Sequence, residues 1–211
     1  MVAAGVRAGK TGPRHWDQSP RAVDAFDAKA DALAALENCG APVTSLQVTA
    51  DAPAWYHPGR SGALRMGKKA LAYFGEVHPS VIKALGLKGR VAAFEVFMDN
   101  IPTPKKKGGK ARSLLKSSSL QPVNRDFAFT VKDDVPAEKL VRAAAGADKK
   151  LITAVNVFDM YKGEDMGDEK SIAIAVTLQP TDKTLTDDDI TEVSNKVIAM
   201  VAKATGGSLR T

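Results

Sequence analysis

The stretch that decides the fold is residues 121–179, which contains the segments QPVNRDFAFTV (121–131), ITAVNVFDMYKG (152–163) and KSIAIAVTLQ (170–179). In the last segment every second residue is large and apolar, and the residues between them are small or polar. A period of two with one apolar side is typical of an antiparallel strand with one buried face. The large apolar residues are Ile172, Ile174, Val176 and Leu178.

The other two segments alternate in the same way and predict a sheet with two unlike faces. Asp159 and Tyr161 fall on one side of the middle segment, and Ser171 falls on the same side of its neighbour. That face is otherwise small or polar, and Tyr161 is its single aromatic residue. On the apolar side lie Phe127, Phe129, Val131, Phe158 and Met160.

Helix signals separate and follow these strands. A short helix is expected over residues 136–146, and Thr186 with Asp189 three positions later forms a capping box for a second helix. The segment SLR (208–210) reads as a closing strand. The order β-α-β-β-α-β predicts a ferredoxin-like domain over residues 118–211, with both helices on one face of the sheet and the other face open. The predicted buried face of the second helix is Ile190, Val193, Val197 and Val201.

Residues 1–100 mix strands with one long and one short helix, which predicts an α+β unit. The long helix is expected to begin with Ser19 as N-cap and Pro20 in its first turn, and to end at Gly40. Its apolar stripe packs on its own domain or on a partner subunit. The residues of that stripe are Val23, Phe26, Ala30, Leu33 and Ala34.

The remaining elements of this half are short. The segment WYHPGRSG (55–62) predicts a packed tight turn with a solvated arginine, and its alternative is a site for an anion. A short helix is expected to open at Pro79 and to close at Gly86. Strands are expected at 1–9, 45–50, 61–66, 68–78 and 90–101.

The composition is that of an ordinary globular protein, since the 211-residue chain is 44% hydrophobic and 26% charged. Its apolar runs are short, which predicts no membrane span, and its N-terminus lacks the apolar core of a signal peptide. The single cysteine, Cys39, favours a reducing, cytoplasmic location. We expect Cys39 to be a buried structural thiol.

A boundary between two domains is predicted at residues 101–117, IPTPKKKGGKARSLLKS, because this segment combines prolines, a Gly-Gly pair and a basic run. Such a run is either a solvated linker, which charge alone favours, or a point of attraction for nucleic acid. The run contributes to a net charge of +6, whereas residues 110–211 hold 15 basic and 15 acidic residues. Its members are Lys105, Lys106, Lys107, Lys110, Arg112 and Lys116.

No catalytic constellation is recognisable in the sequence. His15, His57 and His78 lack the spacing of a metal site, and Cys39 has no evident activating neighbour. The segment GVRAGKTG (5–12) lacks the spacing of a phosphate-binding loop, and no GxSxG elbow occurs. The sequence therefore predicts no catalytic, metal-binding or cofactor-binding residue in this chain.

The open sheet face is the strongest functional feature. Tyr161 and Asp159 place a stacking ring beside a hydrogen-bond acceptor, Ser171 shares their face, and Ala173 and Ala175 leave room for a ligand. Proteins that read single-stranded RNA use this arrangement. Contact with another protein domain explains the same face equally well, because ferredoxin-like sheets serve many functions.

A family resemblance covers nearly the whole chain. QPVNRDFAFTV, VFDMYKG, KSIAIAVTLQ and TLTDDDI with SLR resemble, in that order, the ferredoxin-fold anticodon-binding domain of the bacterial phenylalanyl-tRNA synthetase β subunit. HWDQSPRAVDAFDAKADALAAL, WYHPGRSGAL and YFGEVHPSVIKALGL resemble the end of the catalytic-like domain of that subunit. The resemblance implies a partial class II synthetase-like antiparallel sheet domain over residues 1–100, followed by the ferredoxin-like domain.

The resemblance also implies an enzyme around this chain. That enzyme is an α2β2 ligase of the cytoplasm that charges tRNA(Phe) with phenylalanine and uses ATP and magnesium. Its α subunit performs the chemistry, and the catalytic-like domain of the β subunit lacks active residues and packs against the α subunit. The chain is then expected to be a C-terminal fragment that binds no cofactor itself.

Carried over by position, the anticodon-reading residues of the family fall on Asp159, Tyr161, Ser171 and Arg210. The resemblance implies that Tyr161 stacks on the first anticodon base and that Asp159 and Ser171 contact base edges. Arg210, which is placed by resemblance alone, would engage the third position. The family usually has a second basic residue near NRD (124–126), and its absence here weakens the case for phosphate contacts at that point.

The sequence is compatible with three functions. The first is anticodon reading by a non-catalytic part of the β subunit. The second is a structural or subunit-interaction fragment, in which the helix stripe and the sheet face contact other subunits. An independent small enzyme is the third, and the missing catalytic constellations disfavour it.

Overall fold

The computed structural model of the chain describes residues 1–103 and 117–210. Two compact units are present, Met1–Lys110 and Ala111–Thr211. The basic run that the sequence assigns to a linker, Lys105 to Lys116, lies outside the described residues. In the part of the chain that the structure describes, no helix is long and apolar enough to cross a membrane.

The first unit is built on an antiparallel sheet. Its elements are β1 (Val2–Ala8), α1 (Ala25–Asn38), β2 (Gln47–Thr49), β3 (Tyr56–Met66), β4 (Lys69–Val77), α2 (Pro79–Ala84) and β5 (Val91–Phe97). The sheet order is β1-β5-β4-β3-β2, and α1 packs on β4 and β5. The predicted strands are confirmed, as are the hairpin turn at Gly67 and the helix that opens at Pro79.

The start of α1 was predicted wrongly. The helix begins after Asp24, and the Ser19–Pro20 pair lies in the segment that leads to it. Asp24 and Asp27 form a capping box, in which each side chain accepts a hydrogen bond from the backbone of the other residue. Between the predicted and the observed start, Ala22 forms a β-bridge to Lys10 just after β1, and the N-cap Asp24 is extended.

The buried face of α1 also differs from the predicted stripe. Val23 is buried but precedes the helix, and Leu33 is half-buried. Phe26, Ala30 and Ala34 are exposed, Phe26 by 73%. Alanine recurs on several sides of this helix, so the apolar pattern does not single out one stripe, and small side chains allow a close approach to the sheet. The buried residues are Ala28, Ala32 and Leu36.

The C-terminal end of α1 is where the sequence predicts it, with Gly40 in the left-handed region at φ +83°. Cys39, in contrast, is exposed and not buried as expected. It is the C-cap residue, and its backbone N–H bonds to Ala35 O at 3.1 Å. Cys39 follows the last helical residue, Asn38, so it lies beyond the buried stripe, which ends at Leu36.

Residues 56–62 form the start of β3, after a turn at Ala54 and Trp55, and not the tight turn that the sequence suggested. Between Tyr56 and Ser61 the register against β4 shifts, so the residues between them bulge out opposite Glu76. Arg60 lies in this bulge and forms an ion pair with Glu76 at 2.9 Å, while its side chain stays 48% exposed to solvent, as expected of a solvated arginine.

The second unit has the predicted ferredoxin-like fold. Its elements are β6 (Val123–Lys132), α3 (Ala137–Gly146), β7 (Ile152–Tyr161), β8 (Glu169–Leu178), α4 (Asp187–Thr205) and β9 (Ser208–Leu209). The sheet order is β7-β8-β6-β9, and each neighbouring pair is antiparallel. This order and the β-α-β-β-α-β succession confirm the α+β fold class.

The core of the second unit lies between its sheet and its two helices. β6, β8, α3 and α4 all contribute fully buried side chains to one apolar cluster. The predicted inward face of α4 is confirmed at all four positions. Among the described residues, therefore, both helices cover one face of the sheet and leave the other face open. Core members are Phe129, Leu140, Ile172, Ile174, Leu178, Val193, Val197 and Val201.

The N-terminus of α4 is held by the predicted capping box. Thr186 Oγ1 accepts a hydrogen bond from Asp189 N at 3.2 Å, and Asp189 Oδ2 accepts one from Thr186 N at 3.0 Å. We expect Thr186→Ala to lower the free energy of unfolding of the second unit by about 1 kcal/mol, because one terminal amide loses its acceptor. Urea denaturation measures this loss. Thr186→Ser keeps the hydroxyl, and an equal loss in that variant would contradict the capping argument.

The same box makes the stability of the second unit depend on pH. The backbone amide of Thr186, followed by the Lys183 ammonium and the Thr186 hydroxyl, lowers the pKa of Asp189 from 3.8 to about 2. Because the folded-state pKa is the lower one, the ionised carboxylate stabilises the fold above about pH 4, and this contribution is lost as the pH falls towards about 2. The stability curve of Asp189→Asn is expected to be flatter over that interval. Parallel curves for the variant and the parent would refute this assignment.

Candidate nucleic-acid interface

The face of the second sheet that carries no helix is termed the open face. Cross-strand pairing determines its members: Tyr161 of β7 lies opposite Ser171 of β8, and Ser171 lies opposite Thr130 of β6. Directly paired residues of neighbouring strands project to the same side of the sheet. The polar members of the open face are Asn124, Asp126, Thr130, Lys132, Asn156, Asp159, Tyr161, Glu169, Ser171, Thr177, Ser208 and Arg210.

Tyr161 ends β7 and is 45% exposed. Its hydroxyl donates a hydrogen bond to Asp165 Oδ1 at 3.1 Å, and the Arg210 guanidinium lies 5.6 Å from the centre of its ring. The hydrogen bond to Asp165, and then the charge of that carboxylate, raise the pKa of Tyr161, which keeps the phenol protonated. The ring is therefore oriented from two sides and still presents a surface to solvent.

Arg210 reaches the open face through the pairing of the last strand. Leu209 lies opposite Phe129, and Arg210 N donates to Ala128 O at 2.7 Å, which continues the ladder by one residue. Because sides alternate along a strand, Arg210 is on the side opposite to Leu209 and thus shares the open face with Tyr161. A strand of two residues shows no period in the sequence, so this placement could not be predicted from pattern.

Asp159 is exposed on the open face, opposite Ala173. Its Oδ1 accepts a hydrogen bond from Met160 N at 2.9 Å. Oδ2 has no hydrogen-bond partner among the residues that the structure describes, so this oxygen can accept a hydrogen bond from a ligand. The structure thus brings Asp159 and Tyr161 to one surface, as the alternation in β7 predicts.

Ser171 lies on the open face but is only 5% exposed. Its cross-strand neighbours are Tyr161 on one side and Thr130 on the other. The sequence pattern placed the residue on the correct face, but it gave no sign that the neighbours would cover it. Ser171 is therefore far less accessible to a ligand than Asp159.

Asn156 is a member of the open face that strict alternation places on the wrong side. The register of β7 against β8 shifts between Val157 and Asp159, which makes Phe158 an extra residue. The shift turns Asn156 to the same side as Asp159. Phe158 and Met160, expected on the apolar side, are exposed because they belong to the edge strand of the sheet.

The charges of the open face favour hydrogen-bond donors as ligands. Asp126, Asp159 and Glu169 are acidic and Asp165 lies at the rim, whereas Lys132 and Arg210 are the basic members of the face among the described residues. Carboxylates accept hydrogen bonds from the amino groups of bases and repel phosphates. The face is therefore suited to base edges and stacked rings, with few contacts to a phosphate backbone.

Gly163 makes the position of the Tyr161 ring possible. A methyl group at Gly163 would overlap the Tyr161 hydroxyl oxygen and Asp165 Oδ1. We expect Gly163→Ala to displace the ring and break the bond to Asp165, which lowers the raised pKa of Tyr161 towards its ordinary value. Carbon-13 NMR of labelled tyrosine during a pH titration measures this change. Gly146→Ala is the control, since a methyl group there meets no atom within 4 Å, and an unshifted Tyr161 pKa in Gly163→Ala would contradict the overlap.

Two family models match the chain. The model described as ferredoxin-fold anticodon binding domain matches residues 118–210, and the model described as phenylalanyl tRNA synthetase beta chain CLM domain matches residues 1–98. Together these matches include every element of both units.

Relatives of known name match over the full chain. The chain is 58% identical over 211 residues to the phenylalanine–tRNA ligase beta subunit of Paramagnetospirillum magneticum. It is 53% identical over 211 residues to the beta subunit of Rhodospirillum rubrum. The beta subunit of Bradyrhizobium diazoefficiens is 53% identical over 216 residues. These matches cover 100% of the chain and 26% or 27% of each relative, so the chain spans about a quarter of their length. Residues 1–98 therefore belong to the family of phenylalanyl-tRNA synthetase beta chain CLM domains and residues 118–210 to that of ferredoxin-fold anticodon-binding domains, which confirms the resemblance drawn from the motifs.

Proposed function

We propose that the chain is a non-catalytic part of the β subunit of a phenylalanine–tRNA ligase and that its open face binds the anticodon of tRNA(Phe). The observation that carries this proposal is the oriented ring of Tyr161, with Arg210 at 5.6 Å and the free oxygen of Asp159 on the same uncovered face. The match of this unit to an anticodon-binding family supports the same conclusion.

Each residue has a distinct role in the proposal. An anticodon base stacks on the Tyr161 ring, a contact worth about 1–3 kcal/mol. Asp159 accepts a hydrogen bond from the amino or imino group of a base, and Arg210 contacts a further base or its phosphate. Ser171 has the lesser role. Because it is only 5% exposed, it chiefly supports the Tyr161 ring and leaves little surface for contact with RNA. Asn156 joins the set as a further donor and acceptor.

The ligase reaction itself belongs to the whole enzyme. In the proposal, the α subunit of an α2β2 assembly uses ATP and magnesium to charge tRNA(Phe) in the cytoplasm. Among the described residues, no group of three or more His, Cys, Asp and Glu side chains is placed to hold a metal ion.

A second candidate function, subunit contact, is favoured by the outward side of α1. Phe26, Ala30 and Ala34 form an exposed apolar stripe on that helix. In this view residues 1–98 pack against the α subunit through α1. The two functions are compatible, because they use different units of the chain.

The test of anticodon binding is a titration of the nitrogen-15-labelled chain with the anticodon stem-loop of tRNA(Phe) at several salt concentrations. We expect shifted amide signals at Asp159, Tyr161 and Arg210. The affinity should fall with salt at a log–log slope of about one, the value for one or two phosphate contacts to a single strand. If the open face shows no shifted signals, the chain is a structural fragment and RNA is bound elsewhere.

A further inference from the structure

A cavity of about 440 Å³ lies in the first unit, between the bulge of β3 and the loop that follows α2. Its walls include the end of β4, helix α2 and residues 86–91. A volume of this size is within the range of clefts that bind small ligands. The cavity belongs to the first unit, whereas the open face belongs to the second.

The walls of the cavity carry an excess of positive charge. Arg60, Lys83, Lys88 and Arg90 line it, and Glu76 is the one acidic residue in the lining. With His57 counted as neutral, four positive charges and one negative charge leave a net charge of +3. Like charges that surround one cavity repel each other, and a bound anion removes that repulsion.

Pairing with Glu76 explains the presence of Arg60 and Arg90 but not the rest of the positive charge. Glu76 is 5% exposed and forms ion pairs with Arg60 at 2.9 Å and with Arg90 at 3.8 Å. A buried carboxylate needs such partners. Lys83 and Lys88, in contrast, have no acidic partner within ion-pair distance among the described residues, so the internal pairing of Glu76 does not explain them.

Part of the lining is apolar, and these residues are termed the floor. They are Val77, Pro79, Ile82, Leu87 and Val91, of which Leu87 is exposed. Apolar surface of this kind does not contribute to the binding of an inorganic ion. A ligand that combines a flat or apolar group with a phosphate fits both the floor and the cationic wall.

A glycine in β4, Gly75, allows the bulge of β3 beside the cavity. Gly75 has φ +150°, and a side chain there would collide with Ser61 Cβ and Arg60 O. This glycine therefore permits β3 to bulge against β4 and to present Arg60 at the cavity. Bulges of this kind occur preferentially beside functional sites, where they redirect a side chain.

From the cavity, its charge and its floor, we infer that this site binds a nucleotide, with the phosphate at Lys83, Lys88 and the arginines and the base or sugar on the apolar floor. The nucleotide is either free or part of an RNA chain, because both present the same phosphate and ring.

The test uses the whole 211-residue chain and three probes: AMP, pyrophosphate and hexauridine RNA. Nitrogen-15 NMR follows the amides of Gly86 and Gly89 in the cavity loop, and calorimetry gives the affinity. The double variant Lys83→Glu/Lys88→Glu is expected to weaken binding about ten-fold or more, since two charge-assisted contacts are reversed. The matched control is Lys68→Glu/Lys69→Glu, which makes the same charge change at the exposed β3–β4 turn and should alter affinity less than about two-fold.

The responses to AMP and to hexauridine distinguish a free nucleotide from an RNA chain as the ligand. Saturable shifts of the two glycine amides with AMP establish a free nucleotide as ligand, and shifts with hexauridine alone establish an RNA chain. The inference is overturned if none of the probes shifts these amides, if both double variants weaken binding equally, or if pyrophosphate binds as tightly as AMP. If AMP leaves the two glycine amides unshifted and RNA shifts only signals of the open face, the inference is overturned and the anticodon proposal stays intact. Thermal unfolding checks that the variants remain folded.

Discussion

Replacing Tyr161 with alanine is expected to weaken binding of the tRNA(Phe) anticodon stem-loop by about five-fold to 150-fold, because a stacked base contributes about 1–3 kcal/mol. The ring is 45% exposed, and Asp165 and Arg210 hold it in place, so little further ordering is needed when a base stacks on it. Fluorescence anisotropy of a labelled stem-loop with the 211-residue chain measures the change.

Tyr161→Phe is the matched control, since it keeps the ring and removes only the hydrogen bond to Asp165. We expect this variant to bind within about three-fold of the parent, the effect of one exposed hydrogen bond. Equal losses in the two variants would show that the hydroxyl and not the ring carries the contact. In a complete enzyme, Tyr161→Ala should raise the KM for tRNA and leave amino-acid activation unchanged; unchanged tRNA charging would refute the stacking role.

Phe129→Ala is expected to lower the free energy of unfolding of the second unit by about 3–5 kcal/mol. Phe129 is fully buried in β6, between β8 and β9, and stacks on Phe127 with ring centres 6.2 Å apart. Because Leu209 of β9 lies opposite Phe129, the cavity left by the substitution also loosens the strand that positions Arg210. Denaturation followed by hydrogen exchange in β6 and β8 measures the loss.

The chain supplies two controls for this prediction. Phe127→Ala removes a ring that is only partly buried, so we expect a smaller loss of about 1–2 kcal/mol. Trp16 and Trp55 are the two tryptophans of the chain and both belong to the first unit, so their fluorescence reports on that unit alone. Equal losses for the two phenylalanine variants would contradict the central place of Phe129 in the core.

The fold of the second unit was predictable from sequence because its signals are local and agree with each other. Strict alternation in β8 marked the buried face, and the Thr186–Asp189 box marked the start of α4. The first unit was less predictable. In α1 the abundant alanines support several stripes, and tertiary packing chose the one that includes Leu36. The bulge at Arg60 depends on its pairing with β4, which no local pattern reveals.

In the candidate site, too, some residues could be placed from a local sequence pattern and others could not. Asp159 and Tyr161 were placed together by the alternation of a single strand. Arg210 needed the pairing of β9 with β6, and Asn156 needed the bulge in β7, so both depend on contacts between segments that are distant in sequence. The burial of Ser171 depends on the neighbours on two other strands, and a face assignment from one strand does not include them.

The most direct test of the central claim compares two stem-loops on the unmodified chain, one with the tRNA(Phe) anticodon and one with all three anticodon bases replaced. If Asp159, Tyr161 and Arg210 read the bases, the matching stem-loop should bind at least about ten-fold more tightly, since base-specific contacts discriminate by about 1–3 kcal/mol each. Equal affinities for the two stem-loops would contradict the claim, because the open face would then bind RNA without reading the anticodon.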